Sequence, residues 1–204
     1  GLRALEHEDK KLIIDSRMAW HFVPSSFSVY MAADPYISAE RIMNAGRESE
    51  PFSSVEEAVR SVTDRRKSEM LRYSHLYGVN IKDLENYDYV IDTSYVSPET
   101  VAEHILAHFE KYCAGERYPR YELSAARLLP GGEKEGEPAF AERDGFYYIV
   151  RGADSVANGI RAGDTLIACV RAKDTEKTSC TSEVVKEWEK ETGIRIAKLP
   201  EGLQ

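Results

Sequence analysis

Apolar positions along this chain follow two rhythms. Short apolar runs at residues 11–14 (Lys-Leu-Ile-Ile), 27–33 (Phe-Ser-Val-Tyr-Met-Ala-Ala) and 87–91 (Tyr-Asp-Tyr-Val-Ile) predict compact buried strands. Helical patterning lies around and between them: a short polar helix over 2–10, another over about 38–45, and a long one from Ser54 to Tyr77. Ser53 or Ser54, followed three residues later by Glu56 or Glu57, reads as a capping box, and Gly78 is placed to stop the long helix. Ser97-Pro98 supplies an N-cap and a first-turn proline for a last helix, which places Val101, Ile105, Phe109 and Tyr112 on one face and ends at Gly115. Strands alternating with helices predict a parallel α/β layer over residues 1–115, with ligands at the carboxyl ends of its strands.

Beyond the linker at residues 114–119 the pattern changes. Asp144-Gly145 between two apolar runs is a hairpin signal. A helix over about 155–162, a strand over 165–170, a helix over 182–192 stopped by Gly193 and a strand over 194–199 complete a small α+β domain spanning 116–204.

The composition is that of an ordinary globular protein, 42% hydrophobic and 30% charged. Lys+Arg number 13 and Asp+Glu 19 over residues 1–115 (net −6), against 14 and 16 over 116–204 (net −2). Neither half has the basic excess that a phosphate backbone demands, so nucleic acid is not an expected partner. The apolar runs are too short to cross a membrane. Cys113, Cys169 and Cys180 are odd in number, widely spaced and outside any C-x-x-C pair, which points to a reducing, cytoplasmic setting and to no metal site.

Candidate chemistry gathers in the first part. Asp15 and Arg17 follow a predicted strand, where an arginine can grip phosphate with two parallel hydrogen bonds; the alternative is a surface pair between Arg17 and Asp15. Within the long helix, residues 63–69 (Thr-Asp-Arg-Arg-Lys-Ser-Glu) hold no apolar side chain, and Arg65, Glu69 and Arg72 share a face by their i, i+4, i+7 spacing. Such a stretch is either a lid that closes over phosphates or a solvated helix with i,i+4 pairs. His104 and His108 lie one turn apart without the HExxH order, which reads as polar helix surface. Trp20 and His21 could stack on a base, although core packing is the plainer reading.

The stretch from Asp64-Arg-Arg-Lys-Ser-Glu69 through Arg72-Tyr73, Tyr77-Gly78, Asp83-Leu84 and Tyr87-Asp88 to Ile91-Asp-Thr-Ser94 resembles the lid and last strand of cytidylate kinases, particularly the archaeal type. The likeness extends over about residues 3–110. It implies a P-loop nucleoside-monophosphate kinase fold that moves a phosphoryl group from ATP to CMP or dCMP with Mg²⁺. By position, Arg17 would meet the monophosphate, and Arg65, Arg66 and Arg72 would meet phosphates from the lid side. Such a kinase needs G-x-x-x-x-G-K-[ST], and these 204 residues contain no such run; Gly131, Gly132 and Gly136 lack the Lys-Ser/Thr. The expected fold is therefore a partial P-loop kinase-like parallel sheet lacking the P-loop strand. In the family that strand lies between those represented by 12–14 and 27–33, so either these two pair directly or another segment, upstream or from a second chain, fills the gap.

Residues 121–171 are similar, more weakly, to the ParB/sulfiredoxin-type nucleotide-binding domain, through Glu122 to Pro130, Arg143 to Gly152 and Gly163 to Ala168. That family opens a helix on phosphate after a glycine; here Ala153-Asp154-Ser155 follow Gly152, and the aspartate repels phosphate. Two expectations result. With an upstream P-loop the protein is a nucleoside monophosphate kinase-like transferase using ATP and Mg²⁺, and this chain alone is inactive. Otherwise it is a non-catalytic nucleotide sensor or protein-interaction module. A second copy of the chain stays open as a partner.

Overall fold

The structure, a computed structural model, describes residues 1–7, 11–45, 52–173 and 178–203. The chain divides into two compact units, Gly1–Tyr89 and Val90–Gln204. The sequence boundary near 115 separates two resemblances. The contact boundary lies at 89/90 instead, inside the strand β2 (Tyr89–Asp92).

In the first unit a 3-10 turn spans Leu2–His7, and residues 8–10 of the expected first helix lie outside the described residues. A four-residue helix α1 (Ala19–Phe22) precedes β1 (Val29–Ala32). Helix α2 (Pro35–Asn44) starts three residues before its sequence signal, because Asp34 accepts from the Tyr36 amide and Pro35 fits the first turn. Helix α3 (Val55–Tyr77) follows the sequence closely. Ser54 accepts from the Glu57 amide at 3.2 Å, Glu57 accepts from the Ser53 amide and hydroxyl at 2.8 and 2.6 Å, and Gly78 ends the helix left-handed at φ +67°. Helices α2 and α3 pack together, with Ala39, Ala58 and Val62 buried. The loop before β1 is fastened by Asp88, whose carboxylate accepts from the Ser28 amide and hydroxyl at 2.8 and 2.7 Å.

The expected strand over 11–14 does not form: the segment is irregular, Leu12 is 45% exposed and Ile13 fully so. An extended segment becomes a strand only when a neighbour takes its amides and carbonyls, and the described residues of this unit offer it none.

The second unit holds strands in the order β2, β3 (Tyr121–Ser124), β7 (Leu166–Arg171), β5 (Ala139–Arg143), β6 (Phe146–Arg151) and β4 (Leu128–Leu129). β3 (Tyr121–Ser124) runs parallel to β2, pairing Val90 with Tyr121 and Ile91 with Glu122. The α/β class holds, but the sheet is mixed: β7 (Leu166–Arg171) is antiparallel to β3 and parallel to β5, and β5 is antiparallel to β6. β4 (Leu128–Leu129) closes the edge, parallel to β6. The hairpin between β5 (Ala139–Arg143) and β6 (Phe146–Arg151) turns at Asp144-Gly145 with φ +53° and +80°, the paired left-handed conformation of a tight hairpin. Phe140, Leu128, Leu129, Ile149, Leu123 and Val156 are essentially fully buried; each contributes about 1.5–3 kcal/mol of apolar burial.

Helices α4 (Pro98–Ala114), α5 (Ala153–Ala162) and α6 (Ser182–Thr192) complete the unit, each ending on a left-handed glycine: Gly115, Gly163 and Gly193. The expected closing strand over 194–199 is irregular. Its amides are satisfied without a ladder, Ile196 by the Glu189 carboxylate at 2.8 Å and Ala197 by the Ala126 carbonyl at 2.9 Å. On α4 the inner face differs from the one expected. Val101 is buried, but Phe109 is 43% exposed and His108 takes an interior place at 4%.

Candidate functional site

Arg17 follows the irregular segment 11–16, on the turn that leads into α1. Its Nε meets the Glu69 carboxylate of α3 at 2.6 Å, not Asp15. Arg17 is 59% exposed in its side chain and Glu69 only 14%, so the carboxylate is the sheltered member. Asp15 is exposed and has no hydrogen-bond or ion-pair partner among the described residues. The turn is held locally: Ser16 accepts from the Met18 amide at 3.2 Å, and the Trp20 indole donates to the Arg17 carbonyl at 3.1 Å.

One turn of α3 on either side of Glu69 stand Arg65 and Arg72, by i−4 and i+3 spacing. Both are exposed. The Arg72 guanidinium lies 5.1 Å from the centre of the Tyr73 ring, and Arg66 turns to α2, donating to the Ser38 hydroxyl at 3.3 Å. Of these arginines, Arg17 meets the Glu69 carboxylate directly, while Arg65 and Arg72 flank Glu69 along α3. The structure brings Arg17 to α3, as neither sequence reading required, and leaves Asp15 apart.

Trp20 and His21 belong to an aromatic cluster rather than an open platform. Trp20 packs edge-on to His21 and Tyr87 at 5.5 and 5.9 Å, and His21 and Phe22 meet Tyr77 at 6.1 and 5.3 Å. Tyr87 donates its hydroxyl to the Ile81 carbonyl, and burial, with a smaller push from Tyr30, raises its phenol to about 12.

In the second unit the turn after β6 is already closed to a phosphate. The amides of Gly152, Ala153 and Asp154, which would cradle an anion at the start of α5, donate to the carbonyls of Glu135, Glu133 and Lys134 at 3.0–3.2 Å. The glycines of this loop serve close approach instead: a Cβ on Gly132 would lie 2.1 Å from the Val150 carbonyl oxygen. An ATP phosphate chain with its Mg²⁺ therefore finds no fitting cradle at this glycine-rich stretch. Among the described residues no group of three or more His, Cys, Asp and Glu side chains is placed to hold a metal ion.

Two polar clusters of this unit escaped the sequence reading. Asp92, with no exposed surface, accepts from the Ser94 amide and hydroxyl at 3.0 and 2.5 Å and from Arg127 at 2.9 Å. Arg127 also donates to the Gly145 carbonyl at 2.9 Å and lies over the Tyr147 ring, which ties the end of β2 to the hairpin turn. The second cluster overturns the reading of His104 and His108 as polar surface. His104 Nδ1 meets the buried Glu122 carboxylate of β3 at 2.7 Å, and His108 Nδ1 donates to the His104 carbonyl at 2.7 Å. A helix one turn of which faces a buried carboxylate places histidines inward, and spacing alone could not reveal the partner on a separate strand.

Comparison with known proteins agrees with the first of the two resemblances. The model of the cytidylate kinase-like family matches residues 2–95, and over that stretch the chain is similar to that family. The cytidylate kinase of Methanothermobacter thermautotrophicus is 38% identical over 89 residues, 44% of this chain and 51% of that protein. That of Pyrococcus abyssi is 38% identical over 91 residues, 44% of this chain and 48% of that one. An S-adenosylmethionine-dependent nucleotide dehydratase of Lacinutrix mariniflava is 30% identical over 110 residues, 54% of this chain and 22% of that protein. The chain thus spans about half the length of these kinases and less of the dehydratase. No solved structure matches it.

Proposed function

From the cytidylate kinase-like stretch over residues 2–95 we propose that this protein binds a nucleotide, CMP or dCMP foremost, through its phosphate, using Arg17, Arg65, Arg66 and Arg72. The observation that carries the reading is the Arg17–Glu69 pair at 2.6 Å, which brings a loop arginine to the residue that Arg65 and Arg72 flank along α3. The names of the relatives support it: cytidylate kinases and a nucleotide dehydratase both match this chain, and a nucleotide is what their names have in common. Phosphoryl transfer from ATP with Mg²⁺ is the reaction of the kinases this stretch resembles. It needs a glycine cradle with Lys-Ser/Thr that residues 1–204 lack, so these residues by themselves hold the nucleotide without transferring its phosphate.

Calorimetric titration with CMP, dCMP, CTP and ATP tests this. Binding of CMP that weakens about tenfold or more in Arg17→Ala or Arg72→Ala is expected, the loss of one charge-assisted phosphate contact. Because exposed ion pairs contribute about 1 kcal/mol or less to stability, the same variants keep their thermal midpoint. No binding of any nucleotide leaves the non-catalytic interaction module, and ADP formation from ATP and CMP by the 204-residue chain ends the proposal of inactivity.

A further inference from the structure

The Glu122 cluster does something that the nucleotide reading does not use. An ionised carboxylate only accepts, so the nitrogen 2.7 Å from Glu122, His104 Nδ1, carries a proton. In the neutral ring that leaves the lone pair on Nε2. This atom has no hydrogen-bond partner among the described residues, and the side chain is 35% exposed. Glu122 itself is fixed: its side chain is 8% exposed, His108 Nε2 stands 3.9 Å from its other oxygen, and the His108 ring is braced by Tyr118 edge-on at 5.6 Å. The charge of Glu122 is felt on the neighbouring strand as well. Burial first, and then this carboxylate, push the Cys169 thiol up to about 12. A buried carboxylate that fixes the tautomer at one nitrogen and leaves the other nitrogen's lone pair available is the arrangement by which proteins make a histidine nucleophilic.

We propose that His104 is a phosphoryl-accepting site, its Nε2 taking the phosphoryl group of small activated donors, acyl phosphates and phosphoramidates, with Glu122 as the positioning residue. With phosphoramidate the Nε2 lone pair forms an N–P bond, the P–N bond of the donor breaks, and ammonia leaves. The ring becomes a phosphorylated imidazolium whose positive charge faces the Glu122 carboxylate through the Nδ1 proton. No oxidant, metal or second substrate enters.

The full chain is incubated with potassium phosphoramidate, and phosphohistidine is mapped by mass spectrometry under alkaline conditions. His104 is expected to be modified faster than His75, which is more exposed on α3 but has no ring-nitrogen partner among the described residues. Glu122→Gln, with an unchanged circular dichroism spectrum, is expected to slow the modification about tenfold or more. Nitrogen NMR of the wild-type protein is expected to place the His104 proton on Nδ1. A proton on Nε2, modification of His104 no faster than of His75, or an unchanged rate in a folded Glu122→Gln overturns the proposal. If Glu122→Gln fails to fold, the wild-type tautomer and the His104-to-His75 comparison decide it. Failure here leaves the arginine site of the first unit untouched, since the two share no residue.

Discussion

Asp92 and Arg127 show how a single residue can be costly to remove while nothing in its local sequence marks it. Asp92 is wholly buried, and Arg127 is its cationic partner. Removing one member of a buried pair leaves an uncompensated charge, at a cost of about 3–5 kcal/mol. Arg127→Ala is therefore expected to lower the denaturation midpoint far more than Arg17→Ala, whose guanidinium is mostly in water. Equal effects in urea titrations would contradict this. Cys169 adds a pH dependence with a definite sign. Its thiol is raised to about 12, against about 8.5 in an unfolded chain. The folded state keeps a proton that the unfolded chain releases, so this contribution is whole below about pH 8.5 and is lost as pH rises towards 12. Cys169→Ala is expected to flatten the alkaline decline, and the exposed Cys113 to react with thiol reagents well before Cys169. That Arg65, Glu69 and Arg72 share a face of α3 was legible because spacing on a helix is local information. The Glu122–His104 and Asp92–Arg127 partnerships were not, because each joins residues that only a sheet register brings together.

Among the elements, those framed by their own end signals were read best. Ser54 and Gly78 bracket α3, Ser97 and Gly115 bracket α4, and Asp144-Gly145 sets the hairpin, since caps and left-handed turns are decided within four residues. The strands expected over 11–14 and 194–199 failed for the opposite reason: a strand is a statement about its neighbour. Ser54→Ala is expected to cost about 1 kcal/mol, the usual loss of an N-cap, read as a lower thermal midpoint with less helix at 222 nm. The same terminus carries an acid dependence. The Ser53 hydroxyl, and secondly its amide, hold the Glu57 carboxyl below the usual carboxylate range. A group lowered in the folded state stabilises above its unfolded value of about 4.3 and loses that contribution as pH falls through its folded value. Fraying of the α3 start below about pH 4, absent from Glu57→Gln, is the expected signature in hydrogen exchange.

At the scale of the whole molecule, the α/β class and the kinase-like character of the first part were readable, because alternating periods and a long lid-like sequence survive without the rest of the fold. The mixed pairing of the second sheet was not, since antiparallel and parallel neighbours share the same apolar runs. What remains singular is residues 11–14, apolar in sequence yet exposed in the fold. Ile13 has no cover among the described residues of its unit, so replacing it removes no buried area there. Ile13→Lys is accordingly expected to leave the stability within about 0.5 kcal/mol of the parent and its sedimentation unchanged. Ile91→Ala, at a residue with no exposed surface, is expected to cost about 2–5 kcal/mol under the same conditions. Sedimentation of both proteins over a range of concentrations separates the explanations. A midpoint that falls in Ile13→Lys, together with loss of a dimer, means that a second copy covers this segment in solution; an unchanged monomer with an unchanged midpoint means that the segment stands open for a strand these residues do not contain.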